Sequence, residues 1–247
     1  MSKNVENVRK EKLVIHGLIN FCLIAIVLVT MLFCGVFTGQ NEVVAVNKMY
    51  NGVIYAGDEN SDKVSLMINV YWGTEYLDDI LETLKNHDAK CTFFVGKTWV
   101  KDHADMLKKI YDAGHEIGNH GSNHKEHANL SYEGNIKEID DCTQIVKETI
   151  GVDMNLFAPP GGSYNKSTVK AAESLGYKTI LWTHDTIDWR DQNAELIISR
   201  ATGELASGDL ILMHPTKATA EALETILKTI EGKGLQADTV SNVLEKQ

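Results

Sequence analysis

The feature that most constrains this fold is a regular alternation of short apolar runs with amphipathic stretches of helical length. The apolar runs have the length of buried strands and lie at residues 64–70, 91–95, 115–119, 155–158, 179–182 and 209–213. After each run apolar residues recur every three or four positions, as Leu77, Ile80 and Leu84 do after the first, which is typical of helices packed on a sheet. Helices are therefore expected near residues 75–86, 103–112, 132–150, 167–175, 193–206 and 219–231, followed by a short final strand and helix. This order predicts an α/β fold with a mainly parallel sheet, and periodicity alone leaves a barrel and an open doubly wound sheet as alternatives.

A long uncharged segment precedes this region. No Asp, Glu, Lys or Arg occurs between Leu13 and Asn41. The segment exceeds the roughly 7–15 apolar residues of a signal peptide and has no small-residue cleavage site after it, whereas its length suits the ~20 residues that span a bilayer. Residues 1–12 carry four basic and two acidic side chains, which favours the cytoplasmic side for that tail. We expect a cytoplasmic tail over 1–12 and a transmembrane signal anchor over 13–38. The rest would lie outside the cytoplasm, as a domain held at the plasma membrane by a single pass; a cleaved signal peptide is the alternative.

Composition limits the class of protein. Apolar residues make up 43% of the chain and charged residues 23%, which excludes wholesale disorder. The formal net charge of −10 argues against nucleic acid as a partner. Residues 39–63 are polar and are expected to form a stalk or edge segment, followed by one domain over 64–247. Cys91 and Cys142 are expected to be buried free thiols, with a bridge between them as the alternative.

Unusual residues fall at the ends of the predicted strands. Asn69, His120, Pro159, Asp188 and His214 each lie at or just past the carboxyl end of an apolar run. In parallel α/β folds that edge of the sheet is where ligands bind and catalysis takes place. The sequence therefore predicts a functional site at this edge.

Two of the histidines have the spacing of metal ligands. His120 and His124 lie four residues apart in the loop sequence GNHGSNH, so that both imidazoles can reach one metal ion, zinc or another divalent metal. A surface role for this pair is the alternative. The neighbouring Lys125 and His127 are expected to be solvated.

A third histidine has the position of a general acid. His214 follows the apolar run LILM and precedes a proline, and Asp188 at another strand end could orient its imidazole and favour its charged form. Trp182 and Trp189 are either core residues or a stacking surface for a sugar ring. All three prolines of the chain lie in these strand-end segments, where a site needs rigid backbone.

Four segments together resemble a known family, the polysaccharide deacetylases, or NodB-homology carbohydrate esterases of family 4. These segments are GHEIGNHGSNH, APPGGSYN, DTIDW and LILMHP, and they occur in the family's order across about residues 60–245. The resemblance implies a distorted (β/α) barrel of about seven parallel strands. It also implies an N-acetylated polysaccharide, of the peptidoglycan or chitin type, as substrate. The pair Trp72–Gly73 and the final motif HPTKATAEAL are similar to a sporulation-associated branch.

The resemblance also implies roles for individual residues. In the family a metal bound by one Asp and two His activates water, a second Asp is the base that an Arg holds in place, and a late His protonates the leaving amine. His120 and His124 match the metal-binding histidines. His214 matches the acid and Asp188 the carboxylate that tunes it, and the N–H of Gly161 matches an oxyanion contact. The residues matching the substrate-binding surface are Trp189, Pro159, Pro160 and Tyr164.

Three positions depart from the family pattern. Asn69 stands where the base is expected and cannot accept a proton near neutral pH. Val70 stands at the metal-binding Asp and Ala158 at the Arg. General-base catalysis commonly contributes about 10²–10⁴ in rate, so the usual mechanism is expected to be impaired.

Three hypotheses follow from these departures. The first is a deacetylase with an altered base, for which the candidate substitutes are Tyr71, Glu75, Asp78, His184 and Asp185. The second is a catalytically inactive relative that binds glycan or acts as a scaffold. The third is a membrane-tethered interaction domain without a ligand.

Overall fold

The sheet is mainly parallel, as the alternation predicts. The computed structural model describes residues 49–245, and these include the strands β1 (Met49–Tyr50), β2 (Val53–Ile54), β3 (Lys63–Val70), β4 (Thr92–Val95), β5 (Glu116–Asn119), β6 (Leu156–Phe157), β7 (Lys178–Ile180), β8 (His184–Asp185), β9 (Leu210–Met213) and β10 (Gln236–Ala237). Their order is β1-β2-β7-β6-β5-β4-β3-β9-β8, with β10 also paired to β3. All of these pairs are parallel except the β1–β2 hairpin.

Helices connect most of the strands. They are α1 (Leu77–Asn86), α2 (Lys97–Asp102), α3 (Ala104–Asp112), α4 (Tyr132–Ile150), α5 (Lys166–Ser174), α6 (Ala194–Thr202), α7 (Lys217–Gly232) and α8 (Val240–Leu244). Several begin at a side chain that accepts a hydrogen bond from the first turn: Ser131 does so for α4, Asn193 for α6 and Thr216 for α7. Such caps satisfy N–H groups that have no partner within the helix. Seven of these helices, including the short final one, confirm the sequence prediction, whereas α2 was not expected.

The sheet curls until its two ends are joined by the chain itself. The segment 181–183 runs directly from β7 near one end to β8 at the other. Leu181 N–H donates to the carbonyl of Ile54, and Thr183 N–H donates to that of Leu210, at 2.8 and 2.9 Å. This connection makes the fold a distorted (β/α) barrel rather than an open doubly wound sheet.

The two faces of β3 belong to different parts of the core. Leu66, Ile68 and Val70 lie in the larger apolar cluster, which includes the buried faces of the helices. Met67 lies in a second cluster with Phe94 and other residues of the barrel interior. Successive side chains of a strand point to opposite faces, so Asn69 shares the interior side at the carboxyl end.

Further predictions concern the edges of the domain. The hairpin β1–β2 extends the sheet beside β7, so residues 49–54 form an edge segment. Cys91 and Cys142 are both buried free thiols, and burial raises the pKa of Cys142 to about 12.

The predicted signal anchor, residues 13–38, and the cytoplasmic tail lie outside the described residues. Within residues 49–245 no helix is both long and apolar enough to cross a bilayer.

Candidate functional site

A pocket of about 320 Å³ opens at the carboxyl edge of the barrel, where the sequence placed the site. Its lining residues come from the ends of several strands and the loops after them: Asn69, Trp72, His120, His124, Gly161, Trp182, Asp185, Trp189, Leu212 and His214. The fold therefore brings together both predicted metal-binding histidines, the predicted acid and the position of the base. We refer to these lining residues as the pocket.

The predicted acid is held by a fully buried carboxylate. His214 Nδ1 lies 2.8 Å from Asp188 Oδ1, and the backbone N–H of His214 donates to Asp188 Oδ2 at 2.6 Å. The hydroxyl of Thr219, in the first turn of α7, donates to the same Oδ2. Since the carboxylate holds the proton on Nδ1, Nε2 of His214 is left for a ligand. Sequence reasoning found the pair but missed Thr219.

His120 is oriented by the backbone at the end of β6. Its Nδ1 donates to the carbonyl oxygen of Ala158 at 2.7 Å, which leaves Nε2 as a lone-pair donor. Burial, with a further contribution from His124, lowers the pKa of His120 to about 3, so the ring is neutral. The rings of His120 and His124 lie edge to face with centroids 5.2 Å apart. An N–H held by a backbone carbonyl is the usual arrangement of metal-binding histidines.

Both carboxylates of the family pattern, the base and the metal ligand, are missing. Asn69 is 3% exposed and its Oδ1 has no hydrogen-bond partner. Val70 is fully buried in the larger apolar cluster and does not line the pocket. Within residues 49–245 no group of three or more His, Cys, Asp or Glu side chains is arranged to hold a metal ion. Two imidazoles alone do not supply the three or four protein ligands that resident zinc requires, so these residues do not fit a resident zinc.

The segment after β3 carries two aromatic rings instead. The ring of Tyr71 lies 4.5 Å from that of His124, and the indole of Trp72 stacks on His214 at 5.4 Å with 19° between the planes. Trp99 Nε1 donates to the carbonyl of Gly73 at 2.7 Å and fixes the loop. Aromatic rings thus contact His124 and His214, directly after the segment where the family has its acidic pair. The pair Trp72–Gly73 was the sequence signal for this arrangement.

Two indoles of the pocket are open to solvent. Trp189 is 56% exposed and Trp72 is 45% exposed, while Trp182 is partly buried beside Gly162. Exposed aromatic surface next to a pocket is typical of ligand-binding sites. The structure therefore favours a stacking role for Trp189.

The candidate substitutes for the base divide into two groups. Asp185 lines the pocket, and its Oδ1 accepts a hydrogen bond from the N–H of Ile187. Tyr71 contacts His124. Tyr71 and the other three do not line the pocket. Glu75 accepts a hydrogen bond from Thr74, Asp78 pairs with Lys109, and His184 is held by Asp209 and Arg200.

The two prolines after β6 act through the backbone. Pro159 and Pro160 are buried and begin a short 3-10 turn, which places Gly161 in the pocket with φ of 59°. Tyr164 does not line the pocket, and its hydroxyl lies 2.7 Å from that of Tyr55. Pro159 and Pro160 thus shape the backbone at the pocket, whereas Tyr164 lies outside it.

One neighbouring expectation is wrong. His127 is fully buried rather than solvated, because its Nδ1 pairs with Asn135 Oδ1 at 2.7 Å beneath the loop. Lys125 is exposed as expected and pairs with Glu138 at 2.9 Å.

Comparisons with known proteins give a consistent picture. The family model described as polysaccharide deacetylase matches residues 56–180. The uncharacterized protein YlxY of Bacillus subtilis is 38% identical over 193 residues, which cover 78% of this chain and 60% of that protein. A peptidoglycan-N-acetylglucosamine deacetylase of Bacillus cereus is 33% identical, with coverage of 68% of this chain and 82% of that protein.

Solved structures add a comparison of particular interest. A CE4-family pseudoenzyme from Bacillus anthracis has a TM-score of 0.77 and 36% identity, covering 81% of this chain and 71% of that one. A mutant of the same protein, described as having restored enzymatic activity, is 34% identical with the same TM-score of 0.77.

Proposed function

Because the chain belongs to the polysaccharide deacetylase family, we propose that it binds N-acetylated cell-envelope glycan, of the peptidoglycan type, in the pocket. The enzymes among its relatives act on peptidoglycan. The exposed rings of Trp72 and Trp189 suit the apolar faces of pyranose rings, and the polar side chains that line the pocket suit their substituents.

The observation that favours binding over catalysis is a difference between two parts of the pocket, the acid pair His214–Asp188 and the positions that would activate water. The acid half is complete, since Asp188 has three donors and fixes His214. The water-activating half is not, since Asn69 and Val70 replace both carboxylates. The family is generally metal-dependent, and this pocket lacks a third ligand. We propose that the protein retains the ability to bind the glycan and has lost efficient deacetylation.

The test compares binding with acetate release. The purified full-length chain is mixed with N-acetylated chitooligosaccharides and with peptidoglycan, with and without added zinc. We expect binding that a chelator does not change, and no acetate release above background. Acetate release that requires zinc would contradict the loss of catalysis, and absence of binding to every glycan would contradict the proposal itself.

A second candidate is a slow deacetylase with Asp185 as the base. This carboxylate lines the same pocket as His120 and His214. An Asp185→Asn variant separates the two candidates, because it would abolish a slow release of acetate in which Asp185 takes the proton from water. If the wild-type chain releases none, the second candidate fails.

We further propose that residues 13–38 anchor the chain in the plasma membrane, with the domain outside. The uncharged segment and the basic residues before it support this. Protease added to intact cells would degrade the domain, and the chain would fractionate with membranes; a protected domain would contradict the proposal. The sporulation role implied by the resemblance stays a prediction.

A further inference from the structure

We propose that Glu138 is a positioning residue of the pocket: its carboxylate holds the loop that carries His124, so that this imidazole faces the ligand. Glu138 lies in α4 and does not itself line the pocket. The inference rests on the proposed glycan binding only for its effect on affinity. The position of the His124 ring in the free protein tests it separately.

Glu138 is a buried carboxylate that receives four donors from one short loop. The residue is 4% exposed. The backbone N–H groups of Ser122 and Asn123 donate to Oε2 at 3.2 and 2.8 Å, and the side-chain amide of Asn123 donates to Oε1 at 2.8 Å. Lys125 Nζ lies 2.9 Å from the same Oε1. A buried charge is costly unless it is paired and hydrogen-bonded, so the carboxylate and this loop are held together.

These bonds lie on both sides of His124. Asn123 precedes it and Lys125 follows it, and both are bonded to the one carboxylate. His124 itself has φ of 50°, a left-handed conformation that is uncommon for a residue with a side chain and persists where the surroundings impose it. The carboxylate supplies such a constraint, and the His124 ring accordingly lies against Tyr71 at the pocket.

The first half of the same loop has supports that do not use this carboxylate. The hydroxyl of Ser122 donates to the main-chain carbonyl of Glu138 at 2.9 Å, a bond that a change of the Glu138 side chain leaves in place. The ring of His120 is held by the carbonyl of Ala158 at the end of β6. Loss of the Glu138 side chain should therefore displace His124 and leave His120 where it is.

Three substitutions of Glu138 separate its hydrogen bonds from its charge. Glutamine keeps an oxygen that can accept both backbone N–H groups, and its NH2 group can donate to Asn123 once the amide of Asn123 turns over. Alanine keeps no acceptor. Aspartate keeps the charge but is shorter by one methylene, so it cannot reach the donors on both sides of His124.

The test is proton NMR of the full-length chain in a chelator, with the ring signals of the two histidines assigned from His120→Gln and His124→Gln. The rings of Tyr71 and His124, whose centroids lie 4.5 Å apart, should give a nuclear Overhauser effect in the wild-type chain and in Glu138→Gln. Glu138→Ala should lose that effect while the His120 signals keep their positions. The affinity for tetra-N-acetylchitotetraose, measured by calorimetry, should fall about tenfold in Glu138→Ala and recover in Glu138→Gln.

The control is Glu116→Ala at the amino end of β5. It removes a carboxylate that likewise accepts from a side chain and from a backbone N–H, those of Thr92 and Ser241, and it should leave the Overhauser effect of His124 unchanged.

An unchanged effect in Glu138→Ala, or the same loss in Glu116→Ala, would overturn the inference. If Glu138→Ala does not fold, Glu138→Asp decides, because it should weaken the effect and full retention would overturn the inference. Absence of glycan binding by the wild-type chain would overturn the proposed function, and the NMR result would still decide the role of Glu138.

Discussion

The Nδ1–H of His120 donates a hydrogen bond to the main-chain carbonyl of Ala158. Ala158 stands where the family has an arginine, yet its backbone still orients a histidine of the pocket. The tautomer of His120 therefore does not depend on a bound metal. We expect nitrogen-15 NMR of the metal-free chain to show the Nδ1–H form, neutral down to about pH 4, because burial lowers the pKa to about 3. A predominantly Nε2–H ring would contradict this arrangement.

Zinc content should follow the missing ligands. After dialysis the wild-type chain is expected to hold far less than one zinc per molecule, because only His120 and His124 remain as ligands. The variant Asn69→Asp, which adds a carboxylate on the pocket side of β3, should bind more zinc, as measured by elemental analysis. The same variant with His120→Ala and His124→Ala is the control. One zinc per wild-type chain, lost on removal of both histidines, would show that the site assembles without the carboxylate.

Acid stability should depend on His115. Burial, with a smaller contribution from Lys90, lowers the pKa of His115 to about 4. In the unfolded chain His115 takes up its proton near pH 6.5, so the unfolded state binds more protons between those pH values and stability falls as pH falls. Between pH 7 and pH 4 the free energy of unfolding of the wild-type chain should fall by on the order of 3 kcal/mol because of His115. His115→Gln should not show this part of the fall.

The measurement for His115 is urea unfolding at several pH values. His103→Gln changes a histidine that is only partly buried and serves as the control. An unchanged slope of stability against pH in His115→Gln would contradict the prediction.

Thr219 is expected to support the acid pair. Thr219→Val leaves Asp188 Oδ2 with one donor fewer inside the protein, and an unmet buried hydrogen bond costs about 1–3 kcal/mol. Chemical denaturation should show this loss, whereas Thr225→Val, an exposed threonine of the same helix, should not. Equal stability of both variants would mean that the Thr219 hydroxyl contributes little.

Trp72 is expected to contact the glycan. Trp72→Ala should weaken binding of N-acetylated chitooligosaccharides about tenfold, or ~1.4 kcal/mol, because it removes an exposed ring that stacks on His214. Trp72→Phe should recover part of the affinity. Tyr111→Ala removes a similarly exposed ring on α3 and should have no effect. A Trp72→Ala variant with wild-type affinity would restrict stacking to Trp189.

The sequence predicted the strand-helix order and the edge of the sheet where the pocket lies, because both depend on local periodicity and on residues at strand ends. It did not predict α2, whose six residues follow Gly96 with no clear amphipathic repeat. Periodicity alone could not choose between barrel and open sheet, because that choice depends on the contacts of 181–183 with distant strands. The family resemblance implied the barrel, which the structure supports. His127 was misjudged because its burial depends on Asn135 in the following helix.

The sequence likewise could not predict several contacts at the site, namely those of Asn69, Tyr71, Trp72 and Thr219. Each depends on a tertiary neighbour rather than on spacing. Residue types gave the candidate histidines and Asp188, whereas the burial of Val70 in the larger apolar cluster had to come from the structure.

That burial has a consequence for the history of the protein. Asn69, Val70 and Ala158 are all buried, so restoring any one family residue alone would introduce a charge without its partner, which is strongly destabilising. The three reversions are therefore coupled rather than additive, and each intermediate would be less stable than either end state. Regaining all three family residues would therefore require passing through less stable intermediates.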